Sequence, residues 1–211
     1  MVEPADKTFK PVTAQPYAWP FDGCWSANDT VLFLLGFQHA AVAKLGAEAE
    51  LATATDLLKT AMSHGLATVA VRRGYGPHEN PMAARRRILG DAIPQYGSEE
   101  WRMDERLSLS AETIIIDIAG DNAFFDTGLE ATLRQRGIRN LLITGLPTEG
   151  LVHATQRAAN DMGFECLTVS DACKGTSSAR HSAQLQITTF GNGLFGTVAT
   201  STDVHAALKN L

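Results

Sequence analysis

The sequence predicts an α/β protein, a three-layer α/β/α sandwich on a mainly parallel six-stranded sheet. Two observations carry that prediction. Short apolar runs of strand length alternate with segments of helical spacing, and glycines close those segments. The chain has 211 residues, 45% of them hydrophobic, which suits one domain with a sizeable core. Strand followed by helix, repeated, means a parallel sheet covered on both faces, and right-handed crossovers then set the layers.

The elements follow in order. Residues 1–29 hold Pro11, Pro16, Tyr17, Trp19, Pro20, Phe21 and Trp25, a composition that excludes a helix. They read as an extended arm burying its rings on its own domain or on a partner subunit. The domain proper is read as 30–211. Residues 31–35 form a continuous apolar run, as a strand covered on both faces requires. Residues 47–63 place Leu51, Ala54, Leu57, Leu58, Ala61 and Met62 at helical spacing and stop at Gly65. A second strand covers 67–71. Residues 73–110 read as irregular, punctuated by Gly74, Gly76, Pro77, Pro81, Pro94 and Gly97. A connection this long is usually functional or a cover. Strands at 113–118, 140–143, 165–170 and 196–200 complete the sheet. Helices are expected over about 128–136, from near Thr148 to before Gly163, over about 179–188, and over 202–208 with Thr202 or Asp203 as cap.

The formal net charge of −5 gives no reason to expect nucleic-acid binding, and Arg85-Arg86-Arg87 reads as a solvated face. The N-terminus has Glu3, Asp6, Lys7 and Lys10 where a signal peptide would be apolar. The run 31–35 is far short of the roughly 20 residues that span a bilayer, so no membrane partner is expected. Cys24, Cys166 and Cys173 are an odd number at no metal-ligand spacing, which fits a reduced, cytoplasmic protein with packed thiols. Ligands in parallel sheets bind beyond the carboxyl ends of the strands. Those ends are Gly36-Phe37-Gln38, Ile118 with its loop, and Leu146-Pro147-Thr148.

Several segments resemble the isochorismatase-like cysteine hydrolases. Thr144-Gly145-Leu146-Pro147-Thr148-Glu149-Gly150-Leu151-Val152 is similar to that family's nucleophile turn, T-G-x-x-T-[NE]-x-C-V. Ala123-Phe124-Phe125-Asp126-Thr127 with Leu129-Glu130, the stretch 136–143, Ser170-Asp171-Ala172, His181 and Phe195-Gly196 continue the likeness in order. Residues 31–38 resemble its first strand, and the lead-in 16–23 resembles the biuret and ureidoacrylate amidohydrolases. The likeness covers roughly residues 16 to 210.

In that family a cysteine attacks, an aspartate takes the thiol proton, and a lysine holds the charges. A thiol of pKa about 8.5 needs such neighbours to become a thiolate. The resemblance puts the aspartate at Gly36, the lysine at Ile118 and the cysteine at Leu151, three inert residues. It also implies a cis peptide at Leu146-Pro147 and a helix opening near Thr148 whose backbone N–H groups face the pocket. No catalytic residue is therefore assigned. Gln38, His39, Asn122, Phe124, Pro147, Thr148, Glu149 and Gly150 are the pocket candidates, with Asp121 also near the mouth; period-two alternation turns Asp117 to the other face. Cofactor and metal are expected to be absent, His78 standing alone. The expected function is a non-catalytic paralogue, a structural, regulatory or ligand-binding subunit of an amidohydrolase assembly. It would be a homo-oligomer or paired with an active paralogue, with a small carboxylate or amide as ligand. The alternative is an active hydrolase of a small amide, ureide or enol ether, with His39 or Glu149 activating water.

Overall fold

The computed structural model describes residues 8–76, 81–90 and 93–209. The arm contributes a short antiparallel pair, β1 (Thr8–Phe9) and β2 (Trp25–Ser26). The main sheet holds β3 (Thr30–Leu35), β4 (Ala67–Arg73), β5 (Ile114–Ile118), β6 (Asn140–Gly145), β7 (Glu165–Cys173) and β8 (Thr197–Ala199). Their order is β5-β4-β3-β6-β7-β8 and every pairing is parallel. β3 lies at the centre and is buried at every residue, as its unbroken apolar run demands.

Alternation along the strands divides the core in two. Leu32, Leu34, Ala70, Leu142 and Leu167 face α2 (Glu48–Ser63) and α7 (Ser201–Lys209). Val31, Phe33, Leu35, Val69, Val71, Leu141 and Ile143 face the layer of α4 (Leu129–Gln135) and α5 (His153–Asp161). The remaining helices are α1 (His39–Leu45), α3 (Pro81–Ile88) and α6 (Ser178–Gly193), the last broken at Phe190, Gly191 and Asn192.

The arm packs on its own chain. Phe9, Trp19 and Trp25 sink into the first core, with ring centroids 4.6 Å (Phe9–Trp25) and 5.2 Å (Trp19–Trp25) apart. Gln15 exchanges backbone hydrogen bonds with Val198 at 2.9 and 2.8 Å, so the arm lies along the β8 edge. Tyr17 Oη donates to the Glu165 carboxylate at 3.0 Å, tying it to β7.

Several elements depart from the sequence reading. The stretch 73–110 is partly ordered into α3, which opens on Pro81, and a 3₁₀ turn, Glu105–Leu107. Asp104 caps that turn by accepting the Arg106 N–H. α1 was not foreseen, and β4 continues two residues past Val71. The chain from Thr148 does not enter an α-helix at once. Thr148–Val152 form a π-type turn broken at Gly150, and α5 begins only at His153. The cap of α7 is Thr200 rather than Thr202 or Asp203: Asp203 N–H donates to Thr200 Oγ1 at 3.3 Å, and Thr200 N–H donates back to Asp203 Oδ2 at 3.0 Å.

Candidate functional site

From β3 the chain moves outward to β4 and β5, then returns to the far side of β3 as β6. Such a reversal opens a crevice between the two central strands. A cavity of about 160 Å³ lies there. Gly36, Leu146, Pro147 and Leu151 line its inner side; Gln38, Lys44, Leu45, Arg73, Pro94 and Thr176 lie around it.

Gly36 marks where two backbones cross. Its φ is +68°, and a Cβ there would stand 2.6 Å from the Leu146 carbonyl oxygen and 3.0 Å from Leu151 Cδ2. Only glycine meets both the left-handed backbone and the close approach. Its N–H donates to Val71 O at 2.9 Å, closing β3 against β4. Leu151 is 1% exposed and Ile118 5% exposed, and both join the core around Leu35 and Val71. Leu146-Pro147 is cis, as expected.

Three N–H groups of the turn after Pro147 are turned to other partners rather than to the crevice. Thr148 N–H donates to Lys174 O at 2.9 Å, and Gly150 and Val152 N–H both donate to Pro147 O, at 3.1 and 3.3 Å. The π-type winding folds the Gly150 and Val152 donors back onto the Pro147 carbonyl, while β7's following loop receives that of Thr148. Glu149 turns away as well: its carboxylate accepts from the Thr176 N–H at 2.9 Å and from the Thr176 hydroxyl. Burial opposes its charge, but those hydrogen bonds prevail and hold its pKa below the usual value, while Oε2 has no hydrogen-bond partner. Thr148 is 1% exposed, with its hydroxyl 2.8 Å from His181 Nδ1. Burial lowers the pKa of His181.

Of the candidates named from sequence, the cavity brings together Gln38 and Pro147. Gln38 is 3% exposed and fully spent. Its Nε2 donates to Arg73 O at 3.0 Å and Trp101 O at 2.7 Å, and its Oε1 accepts the Arg73 N–H at 2.8 Å. Thr148, Glu149 and Gly150 form the adjoining turn. His39 points elsewhere, its Nε2 2.9 Å from the Glu105 carboxylate on the cover segment. Asn122 Oδ1 accepts the Phe124 N–H at 2.9 Å, an ordinary loop closure. The Phe124 ring lies in the core beside Phe33 and Phe164 at 6.1 and 5.8 Å. Asp117 takes the opposite face as expected and forms a two-pronged pair with Arg72 at 2.8 Å. His78 falls outside the described residues.

Sequence reasoning missed Arg73. Period-two alternation of Val69, Val71 and Arg73 puts it on the crevice face, and the sheet register sets it beside Ile118. That signal was present had the strand been carried two residues past Val71. Arg73 Nη1 and Arg86 Nη2 both donate to Asp121, which joins α3 to the site. Burial alone would raise the Asp121 pKa, but the two guanidiniums outweigh it and lower it. Arg86 is thus no part of a solvated face: its side chain is 17% exposed. Cys166 and Cys173 are buried as packed thiols, whereas Cys24 on the arm is exposed. Burial raises Cys166 and pushes Cys173 up to about 12. Among the described residues no group of three His, Cys, Asp or Glu is placed to hold a metal ion, and no helix is long and apolar enough to cross a membrane.

Fold and crevice together define a class: a parallel α/β/α protein with a cleft at the switch point between β3 and β6, bordered by a cis-proline turn. The isochorismatase domain matches residues 30–203, and the chain belongs to that family, within the isochorismatase-like cysteine hydrolase superfamily. A ureidoacrylate amidohydrolase, RutB, of Variovorax paradoxus is 24% identical over 207 residues, covering 84% of this chain and 80% of that protein. An uncharacterized isochorismatase family protein of Bacillus subtilis, YddQ, is 35% identical over 69 residues, 33% of this chain. That match and one to YecD of Escherichia coli O157:H7 span only 38% and 31% of the relatives' lengths. Among solved structures, a cysteine hydrolase from Pseudomonas syringae pv. phaseolicola superposes with a TM-score of 0.78 at 17% identity, over 99% of both chains. An isochorismatase family protein from Desulfovibrio vulgaris gives 0.75 at 17% identity, covering 86% of this chain and 98% of that one. At these identities the likeness bears on the fold alone.

Proposed function

We propose that this chain is a non-catalytic paralogue within its family, a ligand-binding or regulatory subunit of an amidohydrolase assembly. One observation carries the reading. At the crevice, the position that the family resemblance assigns to the proton acceptor is Gly36, whose backbone leaves no room for a side chain. The positions assigned to cation and nucleophile are Ile118 and Leu151, both built into the apolar core. The N–H groups of Thr148, Gly150 and Val152 support it further, since they are spent on Lys174 and Pro147 carbonyls rather than offered to an oxyanion. The protein on this reading is cytoplasmic and oligomeric, with itself or with an active relative.

The test is affinity purification from the native host followed by native mass spectrometry, with ammonia release from ureidoacrylate measured alongside. The expected result is a stoichiometric relative bearing Asp, Lys and Cys, and no release by this chain alone. Turnover by the purified chain overturns the proposal.

A second reading, an active hydrolase with Glu149 as base, draws on its ionised carboxylate with an unpartnered Oε2. Substitution Glu149→Gln then abolishes any ammonia release; unchanged release excludes that residue.

A further inference from the structure

α6 connects β7 to the edge strand β8 and packs on β8 and on the Thr148–Val152 turn. Its inward face is satisfied: Gln184 Nε2 lies 2.6 Å from His153 Nδ1, and Thr188 is buried. Its outward face carries Ala179, Ala183, Gln186, Ile187 and Phe190 at helical spacing, all of them exposed. The helix breaks at Phe190, yet Leu194 N–H donates to Phe190 O at 2.8 Å and so holds Leu194 one turn further along. Ile187, Phe190 and Leu194 are 46%, 68% and 53% exposed, although all three are large and apolar. Residues 181–202 contain no Asp, Glu, Lys or Arg, in a chain where 19% of residues are charged. Loss of charge together with exposed large apolar side chains is the composition of an interface core, not of a solvated helix.

The order of residues along this face says what covers it. Small side chains stand at one end and large ones at the other, balanced about a midpoint between 186 and 187: Ala179 against Leu194, Ala183 against Phe190, Gln186 against Ile187. Where two antiparallel helices touch, facing residues have numbers of constant sum. A second copy laid antiparallel across the face therefore sets each large side chain on a small one, at both ends at once, as a self-complementary two-fold contact requires. Charge agrees with that occupant. Two copies of a chain of net charge −5 meet here without opposing like charges, and a strongly charged partner finds nothing to pair with.

We propose that two copies of this chain associate through α6, antiparallel about a two-fold axis, with Phe190 of each packed on Ala183 of the other and Leu194 on Ala179. The proposal deepens the oligomeric part of the proposed function, giving this face to a second copy and leaving any active relative to another surface. It is independent of whether the crevice reacts.

The experiment is sedimentation velocity of the full chain over a dilution series, with circular dichroism to check that each variant is folded. The expected species is a dimer. Ile187→Glu, which brings like charges together beside the axis, and Phe190→Ala should each raise the dissociation constant about 30-fold or more, the scale of a lost interface anchor. Ala183→Phe should also weaken the dimer, by setting one phenylalanine against another. The double variant Ala183→Phe with Phe190→Ala exchanges the roles of the two positions and should recover most of the lost affinity. These side chains are exposed, so the substitutions leave the core of the subunit untouched. A wild-type chain that stays monomeric, a dimer indifferent to Ile187→Glu and Phe190→Ala, or a double variant no tighter than its parents overturns the inference. So does pairing with an active relative through this face while the chain alone is a monomer. None of these results bears on the non-catalytic reading, which is decided separately by ammonia release from the purified chain.

Discussion

Gly36 and Leu151 are a matched pair. The leucine methyl stands 3.0 Å from where a Cβ at 36 would lie, behind the closer obstacle of the Leu146 carbonyl oxygen at 2.6 Å. Gly36→Asp is expected to destabilise by about 2–4 kcal/mol, from a left-handed backbone bearing a Cβ and a clash with the Leu146 carbonyl, measured by urea denaturation. Leu151→Cys removes the methyl contact and introduces a thiol, yet brings neither base nor cation. Its expected ammonia release from ureidoacrylate is no higher than background. Gln38 shows the opposite economy, one side chain satisfying three backbone groups. Gln38→Ala strands those groups in a buried setting, with an expected loss of about 2–4 kcal/mol read from the same denaturation curves.

At the scale of elements, most of the architecture was legible because periodicity reports burial directly. β3 shows as an apolar run since both its faces are covered, and α2 as a stripe since one face is. What escaped notice was local. α1 has seven residues, three of them alanine, too short for a period to register. The π-type turn follows a sequence whose spacing also suits a helix, and only the winding at Gly150 separates the two. The aromatics of the arm announced burial but not its location, because no pattern within residues 8–29 names the β8 edge as partner. Arg73 was missed because its strand outlasts its apolar run. The α7 cap is a further prediction at this scale. Thr200→Ala removes a reciprocal box with Asp203 and is expected to cost about 1 kcal/mol, seen as a lowered urea midpoint with an unchanged slope.

For the whole molecule, charged pairs hold the peripheral segments: Arg139 joins Asp22 and Asp29 of the arm beside β6, Arg73 and Arg86 join Asp121, and Arg106 pairs with Asp104 within the cover. In each pair the carboxylate pKa is lowered: for Asp22 and Asp104 mainly by hydrogen bonding, for Asp29 and Asp121 by arginine partners that overcome burial. A group with a lowered folded pKa stabilises above its ordinary value and ceases to as pH falls through the lowered one. Stability should therefore begin to fall below the ordinary histidine value of 6.5, where burial opposes protonation of His181 and His153, and fall further as pH drops below the ordinary aspartate value of 3.8. Thermal melts across that range test this, and Asp121→Asn should flatten part of the fall. Hydrogen exchange of residues 84–90 in the same variant should speed up, since Asp121 links α3 to β4 through Arg86 and Arg73.

The crossing of backbones at Gly36 also bears on how this chain can change over generations. A glycine codon stands one nucleotide from an aspartate codon, so an acidic residue at the end of β3 is genetically near. It is sterically remote, because the carbonyl of Leu146 occupies the space and the backbone would have to rotate out of the left-handed region first. An acid at this position becomes tolerable only after the turn at Leu146 and Leu151 has moved, and until then every intermediate is less stable than its parent. Any exchange at Gly36 is thus coupled to a rearrangement of the turn that faces it.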